Sequence, residues 1–174
     1  MCIRDSRYST EGFYTFEETN GKVAIDHYHL YKEDVALMKQ MGLKAYRFSV
    51  AWSRILPDGE GVVNEAGVAF YEKLVDELLR QGVEPVLTLY HWDLPQALQD
   101  KYQGWEGRET AAAFERYCRI LFERLGKKVT YWVTMNEQNV FTSLGYRWAA
   151  HPPGLKDLKR MYAANHIINL ANAK

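Results

Sequence analysis

Two hydrophobic patterns alternate along the chain. In the first, apolar residues recur every three or four positions, as in an amphipathic helix, and most of these stretches are followed by a glycine, which suits the left-handed residue after a helix. Two of the stretches are preceded by Asp or Asn, residue types that cap helix N-termini. This pattern predicts helices over Asp26–Gly42, over Asn64–Gly82, over a range that contains Phe114 and ends at Gly126, and from about Asp157 to the chain end.

In the second pattern, a short apolar run follows each of the glycines that end the first three predicted helices, Gly42, Gly82 and Gly126. These runs predict strands at Leu43–Val50, Val83–Tyr90 and Val129–Thr134. The runs are mostly apolar rather than alternating, which is typical of parallel strands covered by helices. Strand and helix take turns, so the chain is predicted to fold as an α/β protein built from βαβ units. Functional residues are then expected at the carboxyl ends of the strands.

Polar and aromatic side chains cluster at those predicted strand ends. His91 and Trp92 follow the second strand, and Asn136 and Glu137 follow the third. Because parallel strands end at the same edge of a sheet, we expect these residues to form one site. Taken singly, each has a plainer interpretation: His91 as a structural histidine, and Trp92, like Trp52 after the first strand, as a packing residue.

Two charged residues in this set require particular surroundings. Arg47 lies midway along a strand that is expected to be buried, so its guanidinium needs a partner, which we expect to be a carboxylate. Glu137 follows apolar strand residues, and partial burial would raise the pKa of its carboxyl and suit it to proton donation. The alternative for Glu137 is a simple salt bridge at the edge of the sheet.

Composition narrows the classes of function. The 174 residues are 47% apolar, which argues against disorder, and the length alone would fit one domain of ordinary size. Lys and Arg number 22, as do Asp and Glu, so there is no basic excess for a nucleic acid or a membrane surface. Two cysteines are too few for a disulfide scaffold. With no apolar run of membrane-spanning length and no signal-peptide pattern, a cytoplasmic location is expected.

Several cofactor motifs are missing from the sequence. There is no glycine-rich phosphate loop and no Gly-x-Ser-x-Gly motif, so no cofactor is expected. His27 and His29 suggest a metal site, but we interpret them as solvated or helix-capping residues and expect no metal. The remaining candidates are a carboxylate with Asn, His and Trp, which suit a polyhydroxylated ring such as a sugar.

The segments that carry these residues closely resemble glycoside hydrolase family 1, the β-glucosidase and 6-phospho-β-glucosidase family. The resemblance runs from about residue 14 to the chain end and rests on four blocks in the family's order: Asp26-His27-Tyr28-His29, Tyr46 to Ile55, His91-Trp92-Asp93-Leu94-Pro95 and Thr134-Met135-Asn136-Glu137. It implies a partial TIM (β/α)8 barrel, roughly strands 2 to 4 with their helices, over residues 14–174. Residues 1–13 are an unassigned head, for which a non-native origin is one interpretation.

The resemblance also implies roles. Glu137 matches the general acid/base of a retaining β-glycosidase, while Asn136, His91 and Trp92 match residues that bind the sugar. Arg47 matches the arginine that supports the nucleophile. The family's nucleophile is the Glu of a Thr-Glu-Asn-Gly block, which this sequence does not contain. The chain is therefore expected to be a fragment that is inactive alone, acting in its complete form on terminal β-glucosides or oligosaccharides, without nucleic-acid or membrane partners; its oligomeric state is unassigned.

Two alternatives stay open on the sequence. The family's common Asn-Glu-Pro-Trp reads Asn136-Glu137-Gln138-Asn139 here, which resembles bacterial members that include 6-phospho-β-glucosidases. The chain could also be a non-catalytic carbohydrate-binding remnant that keeps the site but lacks the nucleophile.

Overall fold

The computed structural model describes residues 24–174, so the predicted head at residues 1–13 lies outside the described part of the chain. The described residues form alternating helices and strands. In chain order the elements are α1 (His27–Gln40), β1 (Ala45–Ser49), α2 (Trp52–Ile55), α3 (Glu65–Arg80), β2 (Glu84–Tyr90), α4 (Gln96–Tyr102), a 3-10 turn (Gly104–Glu106), α5 (Arg108–Leu125), β3 (Tyr131–Met135), α6 (Gln138–Thr142), a π turn (Ser143–Arg147) and α7 (Leu158–Asn172).

The strands form a parallel sheet in the order β1-β2-β3, as the βαβ pattern predicts. The register places Phe48, Leu87 and Trp132 side by side on one face of this sheet. The next positions, Ser49, Thr88 and Val133, stand side by side on the other face, because successive side chains of a strand point to opposite sides.

The two faces differ in what covers them. Phe48 and Leu87 are buried, and the core they join includes the apolar faces of α3 and α5. On the other face, Arg47 and Tyr131 are exposed, and Val86 and Val133 are only half-buried by the described residues. We call these the covered face and the open face. A partial barrel has this asymmetry, because the helices pack on the outside of the sheet and the inside is covered only when the other barrel strands are present.

Buried aromatic side chains hold the covered face together just below the strand ends. Trp52 is fully buried, stacks on Tyr117 of α5 with ring centroids 5.1 Å apart, and donates its indole N–H to the Gly59 carbonyl oxygen. The Tyr117 hydroxyl lies 3.0 Å from the Val50 carbonyl oxygen and 2.9 Å from that of Leu89. Trp52 is therefore a core residue rather than a sugar-binding one, and Tyr117 ties the ends of β1 and β2 to α5.

The predicted long elements are confirmed, with shifted ends. Gly42 and Gly82 have left-handed φ angles of 77° and 71°, as expected after a helix. Gly126 instead keeps a right-handed conformation, so the predicted left-handed stop is wrong at this position. Asp157 caps α7 by accepting the Arg160 backbone N–H at 3.1 Å. Asn64 precedes α3 without a side-chain cap, because its amide donates to the Arg54 carbonyl oxygen instead.

The short helices after the strands are not predicted from the sequence. They are α2, α4 and α6, with four to seven residues each, and they are too short to produce a clear hydrophobic period. Each lies between a strand end and the next long helix, in stretches that the sequence suggests are loops. They position the residues that follow the strands.

The interpretation of His27 as solvated or capping is wrong. His27 is buried, and its Nδ1 lies 2.5 Å from Oδ2 of Asp34, which is two turns later on the same face of α1. His29 is exposed, with its Nδ1 2.7 Å from Asp26 Oδ1. Asp34 and Asp26 each contact Nδ1 of one of these rings, while the buried Nε2 of His27 has no hydrogen-bond partner among the described residues. Within residues 24–174, no three His, Cys, Asp or Glu side chains converge as a metal site, and no helix has the length and apolar character to cross a membrane.

Candidate active site

Four of the predicted site residues lie together at the carboxyl ends of the strands. β2 ends at Tyr90 beside Met135 of β3, and the Asn136 backbone N–H donates to the Tyr90 carbonyl oxygen at 2.9 Å. His91 and Asn136 therefore leave neighbouring strands at the same level. Arg47 reaches the same place from the open face of β1, where its backbone pairs with Val86.

Asn136 is the centre of this cluster. It is buried, and its side-chain Oδ1 accepts a hydrogen bond of 2.7 Å from Arg47 Nη2. Its Nδ2 lies 3.0 Å from His91 Nε2, and its backbone carbonyl oxygen accepts the Trp92 indole N–H at 2.9 Å. One asparagine thus contacts both of the other residues predicted to bind the sugar, His91 and Trp92, and also Arg47, which is predicted to support the nucleophile.

These contacts fix the protonation pattern of His91. A guanidinium can only donate, so the Asn136 atom facing Arg47 must be the carbonyl oxygen, and the amide nitrogen must face His91. That nitrogen is a donor, so His91 Nε2 accepts and the neutral ring carries its proton on Nδ1. The charge of Arg47 therefore sets the orientation of Asn136, which in turn sets the tautomer of His91.

The surroundings of Arg47 differ from the sequence expectation. The residue is exposed on the open face rather than buried, because no described residue covers that face. Its Nε donates to the buried Thr88 hydroxyl at 2.9 Å and its Nη2 to Asn136. Among residues 24–174 its partners are therefore a hydroxyl and an amide, and the predicted carboxylate partner remains a prediction for a residue outside the described part.

Glu137 stands at the edge of the cluster, facing outward. It has a left-handed backbone conformation, with φ of 47°, directly before α6. Its Oε2 lies 3.4 Å from Asn136 Nδ2, and the residue is exposed. The partial burial expected from the sequence is wrong for the described residues, for the same reason as at Arg47: the open face has no cover.

Two residues of the cluster have backbone conformations that are uncommon outside glycine. Trp92 has a φ of 72°, and Glu137 has a φ of 47°. Such residues persist only where surrounding contacts hold them, and they concentrate at functional sites. Trp92 is held by its indole hydrogen bond to Asn136 and by a ring contact with His151, whose centroid lies 5.5 Å away.

Asp93 is a residue of this region for which the sequence analysis gives no role. Its Oδ2 accepts the Trp52 backbone N–H at 2.9 Å, and its Oδ1 lies 3.4 Å from the His91 backbone nitrogen. The carboxylate thus links the chain after β1 to the chain after β2. Burial raises the pKa of Asp93 to about 6, although the backbone N–H donors partly oppose this shift. Its only signal in the sequence is its place two residues after His91.

The whole chain is similar to proteins of one family. Residues 2–174 match the sequence profile of glycosyl hydrolase family 1. Aryl-phospho-beta-D-glucosidase BglC of Bacillus subtilis is 62% identical over 160 residues, which cover 92% of this chain and 34% of that protein. Beta-glucosidase A of Acetivibrio thermocellus is 47% identical over 154 residues, covering 88% of this chain and 34% of that protein.

The fold is similar to solved structures of the same kind. The β-glucosidase of Thermotoga maritima in complex with castanospermine superimposes with a TM-score of 0.92 and 43% sequence identity, covering 99% of this chain and 39% of that one. The same enzyme in complex with galacto-hydroximolactam gives a TM-score of 0.91. The fold is therefore a partial TIM barrel of the glycosidase type.

The chain belongs to glycosyl hydrolase family 1. It spans about a third of the length of the curated relatives that it matches.

Proposed function

We propose that this chain is the part of a retaining β-glycosidase that carries the general acid/base, Glu137. The observation that carries the proposal is the position of Glu137: an exposed carboxylate at the end of β3, next to an asparagine that is hydrogen-bonded to Arg47 and close to His91. Hydroxyl-binding groups and a proton donor thereby lie at one end of the open face.

The proposed reaction is a double displacement. In the first step, protonated Glu137 donates to the glycosidic oxygen while a second carboxylate attacks the anomeric carbon and forms a glycosyl-enzyme ester. In the second step, water attacks the anomeric carbon while Glu137 takes its proton, and the bond from that carbon to the nucleophile carboxylate breaks. Retention of configuration requires the two carboxyl groups to lie about 5–5.5 Å apart. The nucleophile is proposed to lie outside this chain.

The other cluster residues bind and orient in this proposal. His91, Trp92 and Asn136 line the sugar side, where Asn136 is placed for the 2-hydroxyl. His91 is oriented by the contact of its Nε2 with Asn136. Arg47 supports the nucleophile, because a positively charged guanidinium on the open face stabilises the charged form of a carboxylate placed next to it. The substrate is a small β-glucoside or oligosaccharide.

The proposal is tested with two proteins: the 174-residue chain alone, and the full-length protein, by which we mean this chain joined to the remainder of its coding sequence. The full-length protein is expected to hydrolyse 4-nitrophenyl β-D-glucoside and to release β-glucose first, as followed by NMR. The chain alone is expected to be inactive because it has one of the two carboxylates. First release of α-glucose, or turnover by the chain alone, would refute the proposal.

A second candidate substrate class is favoured by one comparison. The 62% identity to an aryl-phospho-β-glucosidase exceeds the 47% identity to a β-glucosidase, which favours a 6-phospho-β-glucoside. The ratio of kcat/KM for 4-nitrophenyl β-D-glucoside and for its 6-phosphate, measured on the full-length protein, decides between them. A kcat/KM more than about ten-fold higher for the 6-phosphate corresponds to a difference of about 1.4 kcal/mol in activation free energy. That result would make the 6-phospho-β-glucoside the proposed substrate.

The non-catalytic alternative makes the opposite prediction in the same assay. A carbohydrate-binding remnant would bind glucosides without hydrolysing them, in the full-length protein as well as in the chain. Its coding sequence would also lack a Thr-Glu-Asn-Gly block downstream. A cytoplasmic location remains part of the proposal.

A further inference from the structure

A second hydrogen-bonded cluster lies directly behind Glu137, where α6 packs against α7. Gln138, the first residue of α6, donates from Nε2 to Asn165 Oδ1 at 3.0 Å. Asn165 in turn donates from Nδ2 to the Met161 carbonyl oxygen at 3.1 Å, one turn earlier in α7. Both ends of the Asn165 amide are therefore engaged, which fixes its oxygen towards Gln138.

Thr142 completes the cluster from the other end of α6. Its buried hydroxyl lies 2.8 Å from the Gln138 carbonyl oxygen and 3.3 Å from Asn165 Oδ1. A hydroxyl has one hydrogen to donate, and the shorter contact places it on the carbonyl oxygen. Gln138 is thus held by its side chain and by its backbone, and α6 is fastened to α7 at its first residue.

This fastening bears on Glu137 because the carboxylate has little else to hold it. Glu137 is exposed, and its contact with Asn136 is 3.4 Å long. Its direction therefore depends on the backbone that carries it, which is in the left-handed conformation. That backbone follows Asn136 at the end of β3, and its own carbonyl oxygen accepts the Val140 and Phe141 N–H groups of α6 at 2.9 and 3.2 Å. Gln138 fastens the same turn of α6 to α7.

We propose that Gln138 and Asn165 are positioning residues for proton transfer by Glu137. Their hydrogen bond holds the backbone from which the Glu137 carboxyl reaches the glycosidic oxygen. The inference rests on the proposed function. It also gives a use to the position at which this chain departs from the Asn-Glu-Pro-Trp pattern, since a proline has no side-chain donor for Asn165.

The test uses the full-length protein with Gln138→Met, which keeps the length of the side chain and removes the donor. Two β-glucosides are compared, one with a 2,4-dinitrophenyl leaving group that departs without a proton and one with a methyl leaving group that needs the proton. We expect kcat/KM to fall by about ten-fold or more on the methyl glycoside and by less than about two-fold on the dinitrophenyl glycoside. Asn165→Leu should give the same split.

The matched control is Arg160→Met, also on α7. Arg160 donates from Nε and Nη2 to Glu106 at 2.7 and 2.8 Å, which ties α7 to the 3-10 turn without touching α6. This variant should change both substrates by the same factor. In the double variant with Gln138→Met and Asn165→Leu, kcat/KM on the methyl glycoside should fall no further than in the worse single variant. Each change alone already breaks the same Gln138–Asn165 hydrogen bond.

The outcomes separate the two proposals. If the unaltered full-length protein hydrolyses neither these glycosides nor their 6-phosphates, the proposed function fails; if only the 6-phosphates are hydrolysed, they replace the two glycosides in the comparison. If it is active but Gln138→Met changes both glycosides equally or neither, the positioning role is wrong. Multiplicative losses in the double variant would also overturn it. Should Asn165→Leu fail to fold, as judged by its melting temperature, Gln138→Met alone decides, since that side chain is only half-buried.

Discussion

The covered and open faces of the same sheet contain different kinds of residue. On the covered face, Phe48 and Leu87 are buried against helices and make no polar contacts through their side chains. On the open face, Arg47, Thr88 and Asn136 form a hydrogen-bonded row. The first face stabilises the fold, and the second orients polar groups. Stability and chemistry are therefore separated by one residue of strand register.

The largest expected effect falls on activity at the open face. In the full-length protein, Glu137→Gln should lower kcat/KM on a methyl β-glucoside by about a thousand-fold, because a general acid contributes on the order of 10² to 10⁴ in rate. The loss on the dinitrophenyl glycoside should be much smaller in the glycosylation step. The melting temperature should be unchanged, since glutamine keeps the size and shape of the side chain. Equal losses on both substrates would assign Glu137 another role.

The next effect falls on stability at the covered face. Leu87→Ala removes a fully buried side chain and should lower the free energy of unfolding by about 3 kcal/mol. Urea unfolding, followed by circular dichroism, measures the change in the isolated chain. A loss below about 1 kcal/mol would mean that the covered face is not the core of this chain.

Asp93 lies between the two faces and gives a pH-dependent prediction. Its folded-state pKa of about 6 exceeds the ordinary value of 3.8, so the folded state binds the proton more tightly. The carboxyl therefore contributes stability at low pH, and that contribution is lost as the pH rises from about 4 to about 6. Discounted for partial exposure, this amounts to about 2 kcal/mol.

The check on Asp93 is Asp93→Asn, which keeps an acceptor for the Trp52 N–H and cannot titrate. Relative to this variant, the unaltered protein should lose stability between pH 4 and pH 7 by about 2 kcal/mol, measured by urea unfolding at several pH values. A difference that is independent of pH, or one of opposite sign, would contradict the raised pKa.

The smallest effect is expected at the open face of the isolated chain. Val133 is half-buried there, and Val133→Thr should change the free energy of unfolding by less than about 0.5 kcal/mol. In the full-length protein the same substitution should cost more, because the remaining strands would bury this face. A similar cost in both proteins would show that the open face is not where the barrel closes.

The sequence predicts the framework well because long elements have clear hydrophobic periods. The three parallel strands are confirmed, whereas the predicted caps Asp26 and Asn64 make no side-chain cap hydrogen bond. The clustering of His91, Trp92 and Asn136 could also be predicted, since parallel strands end together. The exposure of Arg47 and Glu137 could not, because it depends on what covers the open face and not on the residues of β1 and β3 themselves.

Contacts between distant side chains were beyond the sequence. Gln138 and Asn165 are 27 positions apart, and neither residue type signals a partner. Asp93 is similar, since its role depends on the backbone N–H of Trp52, the first residue of α2. The burial of His27 is not predicted, because its partner Asp34 lies two turns later on the same helix and the helical pattern there is defined by apolar residues.

The central claim is that Glu137 is the acid/base of a retaining glycosidase, and azide rescue tests it most directly. In the full-length protein with Glu137→Ala, azide can enter the space left by the carboxylate and attack the glycosyl-enzyme without base assistance. On 2,4-dinitrophenyl β-glucoside, azide is expected to raise the rate and to yield the β-glucosyl azide. No increase in rate, or an α-glucosyl azide as product, would contradict the claim.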